Sequence, residues 1–156
     1  MSQNIEWTTA GSVAMPNIRP CFLDAWISLV AGDHGYTVGK LRFIFCDDEE
    51  ILRINREFLH HDYYTDIITF DYTRKDRVSG EMFISLDTVA SNAKLVGTTY
   101  DRELLRVIIH GVLHLCGIND KGPGEREIME AHENEALDRL QALLFGLLNE
   151  NSDRQK

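Results

Sequence analysis

Two rhythms of apolar residues run along this chain. Leu41, Phe43 and Phe45 alternate with Arg42, Ile44 and Cys46, which predicts a strand over residues 40–46. Ile51, Leu52, Ile54 and Phe58 instead recur at helical spacing behind Asp47 and Asp48, either of which can cap a helix ending near Leu59. The same spacing in Phe22, Trp26, Leu29 and Val30 predicts a helix over residues 16–33, stopped by Gly32 and Gly35. Residues 5–9 read as a short first strand. Residues 67–72 and 81–85 read as a hairpin joined by a polar 74–80 connection. Three helices follow: one capped by Asp87 and ending near Val96, one capped by Thr99 or Asp101, and a long one over residues 125–148. Leu137, Leu140 and Leu144 are its core stripe. Strands gathered early and helices following define an α+β class, a small mixed sheet packed against several helices.

Composition narrows the setting. At 156 residues, with 44% hydrophobic and 26% charged content, the chain has the size and make-up of one globular domain. We expect that domain over residues 1–148 and a disordered tail over 149–156. Cys21, Cys46 and Cys116 are odd in number and widely spaced, as befits reduced thiols. No basic-then-apolar leader opens the chain and no run reaches membrane-spanning length, so the expected location is cytoplasmic, with no membrane partner. The formal charge of −9 weighs against a generally phosphate-binding surface. Glu125, Glu127, Glu130, Glu133, Glu135, Asp138 and Glu150 supply much of it, and that stretch reads as a solvated helix face. Arg74, Lys75, Arg77, Arg102 and Arg106 are the candidates for a local basic surface, each equally well placed for solubility alone.

The chemistry sits in Val107-Ile-Ile-His-Gly-Val-Leu-His-Leu-Cys-Gly117. His110 and His114 stand one helical turn apart on one face of a helix that is otherwise apolar nearly all round, hence buried. Two core histidines bonded to backbone carbonyls, or two ligands of one divalent ion, would each satisfy the ring nitrogens. Gly117 is placed to end the helix, and a turn after it can carry Asp120 back to the histidine face. His110, His114 and Asp120 then form two imidazoles and a carboxylate with a position left open. That is the pattern of catalytic rather than structural zinc. The same donors also accept nickel or iron(II). Cys116 lies about 200° round the helix from His114 and faces away. A zinc peptidase would carry its base at the residue after the first histidine, where this chain has Gly111.

The string His110-Gly-Val-Leu-His-Leu-Cys-Gly117 resembles the signature of the bacterial YbeY family of rRNA-maturation endoribonucleases, His-Gly-x-Leu-His-Leu-x-Gly-Tyr-Asp-His. Thr65-Asp-Ile-Ile-Thr-Phe70 is similar to that family's Pro-Thr-Asp-Val-Leu-Ser-Phe, and Gly80-Glu-Met-Phe-Ile-Ser85 to its Gly-Asp-Ile-Phe-Ile-Ser strand. The order agrees over roughly residues 40–135. The resemblance implies a zincin-like fold with a central metal-binding helix and one zinc ion per chain. It implies a single-strand-specific endoribonuclease in 16S rRNA 3′-end processing and ribosome quality control. Ribosomal RNA, ribosomal particles and assembly proteins are the implied partners. The family's first two histidine ligands carry onto His110 and His114. Its third falls on Asp120, since Lys121, the residue a one-position insertion would offer, has no lone pair when protonated. Leu59 replaces a family arginine, His61 a lysine and Tyr64 a proline. The lost guanidinium removes a bidentate phosphate contact that another cation must replace if cleavage is to match the family's.

Three functions stay open at this level. One is a metal-dependent endoribonuclease, one a non-catalytic ribosome-assembly factor with a structural metal, and one a metal-dependent hydrolase of another substrate such as a peptide. Asp62, Asp66, His60, His61 and Glu81 are the candidate bases, and the sequence does not choose among them.

Overall fold

The computed structural model describes residues 4–60 and 65–154, with side chains as far as residue 146. Four strands, β1 (Ile5–Thr9), β2 (Thr37–Cys46), β3 (Ile67–Asp71) and β4 (Arg77–Ser85), form one sheet in the order β1-β2-β4-β3. β1 and β4 both run parallel to β2, and β3 closes the sheet as an antiparallel partner of β4. Helices α1 (Pro20–Asp33), α2 (Asp48–Phe58), α3 (Leu86–Val96), α4 (Tyr100–Leu115) and α5 (Glu125–Arg154) complete the α+β, zincin-like arrangement.

The alternation in β2 divides the molecule into two unequal layers. Leu41, Phe43 and Phe45 join Val78, Met82 and Ile84 of β4 in the main core, beneath α1, α4 and the inner face of α5. Cys46 points the other way, into a small cluster with Ile51 and Ile54 of α2 and Ile68 of β3. A strand pair buried on both faces is what parallel pairing demands. Trp26 anchors α1 to α5 by donating its indole N–H to the Ala136 carbonyl at 2.7 Å. Among the described residues no helix is long and apolar enough to cross a membrane.

Several boundaries moved for identifiable reasons. α1 starts at Pro20 rather than Pro16, because a proline at the first helical position lacks only an N–H the helix leaves unpaired, and the preceding Arg19 is extended. β4 starts at Arg77, not Glu81: its polar residues alternate with buried Val78 and Gly80, and pairing with β2 recruits them into the sheet. Ser85, not Asp87, caps α3, accepting from the Thr88 N–H. α5 continues to Arg154, past the expected end at Leu148. Leu29 and Leu144, expected in the core, are 37% and 45% exposed. The buried stripe of α1 runs through Leu23, Trp26, Ile27, Val30 and Ala31, which leaves Leu29 to one side. On α5 it is the neighbouring Leu143 that packs against the core, which leaves Leu144 turned outward.

Candidate metal centre

Helix α4 is built to hold a rigid face in the interior. Thr99 caps it by accepting from the Arg102 N–H at 3.1 Å, and Asp101 and Glu103 in the first turn complement its dipole. Leu104, Val107, Ile108, Ile109, Val112, Leu113 and Leu115 are all buried, as the sequence pattern required. Gly111 brings the helix close to the sheet: a Cβ there would meet Ile67 Cδ1 at 2.9 Å and Met82 Sδ at 3.1 Å. A larger side chain there would have to displace the ends of both.

The helix ends in a Schellman turn. The Ile118 N–H donates to the Leu113 carbonyl and the Gly117 N–H to that of His114, with Gly117 at φ +89°. This reversal returns the chain toward α4, and Asp120 Oδ2 stands 3.3 Å from His110 Nε2. Two donors about 2.0–2.1 Å from one tetrahedral zinc lie about 3.3 Å apart, so the spacing suits a shared ion. His114 lies one turn on, half-buried, in the last turn of α4. Among the described residues no three His, Cys, Asp or Glu side chains already converge on one point, so His114 must close on the pair to complete a three-donor set. Lys121 is exposed, and Cys116 is buried, with burial pushing its thiol up to about 11.

Sequence reasoning missed the other side of His110. Its Nδ1 lies 2.7 Å from Oε2 of Glu133, a buried residue of α5. Arg106 donates to the other oxygen of Glu133 at 2.9 Å and to Asn134 Oδ1 at 2.9 Å. Arg106, a candidate RNA cation by sequence, is thus half-buried and committed to partners within the chain. Glu133, read as part of a solvated face, was findable: with Met129, Ala136, Leu137 and Leu140 it falls on the buried stripe of α5.

These charges act on one another. Burial disfavours the His110 imidazolium, but the Glu133 hydrogen bond and charge, with the charges of Asp120 and Asp66, outweigh it and hold the pKa above the usual histidine value. Burial raises the Asp66 carboxyl, against the pull of His110 and of its own hydrogen bonds. Burial also raises Glu103, with Arg106 opposing and Asp66 and Glu133 adding to the shift. Among the described candidate bases, Asp66 is therefore the one in electrostatic contact with His110. Glu81 neighbours Gly80 and Met82 on β4 but points to the opposite sheet face, where it meets Arg42 and Tyr72. His60 is exposed, and His61 and Asp62 lie outside the described residues.

A mixed sheet beneath a central helix with two histidines, and an aspartate folded back onto the first of them, defines a zincin-like α+β protein. Residues 22–141 match the family model described as Endoribonuclease YbeY, and the chain belongs to that family. It is 62% identical over 133 residues to a protein of Phocaeicola vulgatus named Endoribonuclease YbeY, covering 85% of this chain and 96% of the relative. A namesake from Azobacteroides pseudotrichonymphae is 44% identical over 136 residues, covering 87% and 97%. The solution structure of TM1509 from Thermotoga maritima superposes with a TM-score of 0.62 at 26% identity, covering 97% of this chain and 99% of that one.

Proposed function

We propose that this protein is a metal-dependent endoribonuclease of ribosomal RNA maturation, a single-domain cytoplasmic enzyme working on ribosomal RNA and its particles. One divalent ion, zinc by its donor set, would be held by His110, His114 and Asp120. The observation that carries this reading is the return of Asp120 to His110 Nε2 in a chain whose relatives bear the name Endoribonuclease YbeY. A divalent ion at such a site supplies a Lewis acid that polarises a phosphoryl oxygen and acidifies water.

The chain's own residues do the rest. Glu133 and Arg106 hold His110 from behind, and the buried face of α4 keeps it rigid. Asp66, its carboxyl raised by burial, is the group best suited to take up and return a proton beside His110. Leu59, exposed at the end of α2, offers no charge to a phosphate. The replacement cation must come from elsewhere on the rim; Lys121, beside Asp120, is exposed and without an ion pair among the described residues. Gly111, where a zinc peptidase carries its glutamate base, speaks against a peptide substrate.

Leu59 favours one rival, a ribosome-assembly factor whose metal is structural. Metal content per chain for the native protein and folded Asp120→Ala, followed by cleavage of single-stranded ribosomal RNA, separates the readings. We expect one zinc per chain, largely lost in Asp120→Ala, and cleavage abolished in folded His114→Ala. Zinc without cleavage would leave the assembly factor. A native protein that takes up no metal would sink the enzyme.

A further inference from the structure

The contacts of His110 are asymmetric, and the asymmetry has a chemical meaning. Its Nδ1 faces a carboxylate oxygen at 2.7 Å. A lone pair there would be repelled at hydrogen-bond distance, so Nδ1 must carry the proton. In the neutral ring the lone pair then belongs to Nε2, which faces a second carboxylate, that of Asp120, at 3.3 Å. Two acceptors in that position call for a proton, as in the imidazolium, or a metal ion between them. Glu133 is itself held in place: it is buried, and the Arg106 guanidinium binds its far oxygen while its other arm binds Asn134. The clamp fixes the carboxylate's position.

We propose that Glu133, locked by Arg106, is a positioning residue that commits His110 to the Nδ1–H tautomer and so aims its Nε2 lone pair at Asp120 and at a metal ion. Glu133 touches neither metal nor substrate; it acts through the imidazole. A hydrogen-bond partner behind a ligating histidine fixes ring orientation and raises ligand basicity, and its loss commonly weakens metal binding about 10–100-fold.

The test reads the tautomer first. In metal-free protein with 15N-labelled histidine, at a pH where the ring is neutral, the His110 nitrogens report which one is protonated. We expect Nδ1–H in the native chain, a shift toward Nε2–H in Glu133→Ala, and partial retention in Glu133→Gln, whose amide oxygen can still accept. Competition with a chromophoric chelator then measures Zn2+ affinity, expected to fall about 10–100-fold in Glu133→Ala and less in Glu133→Gln. A purely structural glutamate would lower thermal stability and leave the tautomer of the folded protein unchanged. Should Glu133→Ala fail to fold, the near-isosteric Glu133→Gln carries the test. A native His110 in the Nε2–H form, or a folded variant with unchanged tautomer and zinc affinity, overturns the proposal. Only the zinc arm rests on the metal-site reading. A native protein that shows the Nδ1–H tautomer yet cleaves no RNA would sink the proposed function and leave this inference standing.

Discussion

At the scale of single residues, burial sorts three chemically identical thiols. Cys21 is exposed on α1, whereas burial pushes Cys46 up to about 12, with nearby carboxylates adding to it, and Cys116 up to about 11. Because the thiolate is the nucleophile, Cys21 alone should react quickly with a thiol-specific chromogenic reagent at pH 8. The expected count is one fast equivalent in the native protein and three after denaturation. A second fast equivalent would mean that one of the buried sites opens readily. The same scale shows what the sequence could and could not convey about the site. His110 and His114 were legible because helical spacing alone puts them on one face. The return of Asp120 toward His110 was legible through Gly117, whose left-handed backbone makes the reversal. The His110–Glu133 contact joins residues 23 positions apart on different helices, and no local pattern specifies that meeting.

At the scale of elements, type was easier to read than extent. Hydrophobic period announced each strand and helix, but β4 and β2 lengthened where a neighbouring strand offered partners to polar residues. Caps are the exception, since their chemistry is local. Thr99 Oγ1 satisfies one of the unpaired N–H groups at the start of α4, some three turns ahead of His110. Thr99→Ala should destabilise the protein by about 1 kcal/mol and Thr99→Ser hardly at all. In urea unfolding this appears as a lower midpoint at unchanged slope, with metal content per chain unaltered. Loss of metal in a folded Thr99→Ala would show that the start of the helix sets the site, contrary to the anchoring of His110 by Glu133.

At the scale of the whole molecule, α4 is where two layers meet. It packs on the sheet through Gly111 and joins α5 through Arg106, Glu133 and His110. An ion bound at its far end, through Asp120, would therefore tie loop, helix and α5 together only in the folded chain. Zinc at a hundred times its dissociation constant should stabilise the fold by about 2.7 kcal/mol. For a chain this long that raises Tm by about 5–10 °C. Thermal unfolding with and without zinc checks this, and His114→Ala should lose most of the shift. An equal shift in that variant would place the ion elsewhere. The net charge of −9 was legible from composition, but its distribution was not: Arg106 is absorbed by Glu133, while Arg74, Lys75 and Arg77 are left without ion pairs among the described residues.

The close seat of Gly111 on Ile67 and Met82 also bears on descent. A glutamate after the first histidine is the residue that separates this helix, in motif, from that of a zinc peptidase. Here that side chain would enter space held by Ile67 Cδ1 and Met82 Sδ. Admitting it means moving the ends of both side chains, and a carboxylate lodged there would need a partner. One change in the motif therefore asks three residues to adjust, on α4, β3 and β4 together.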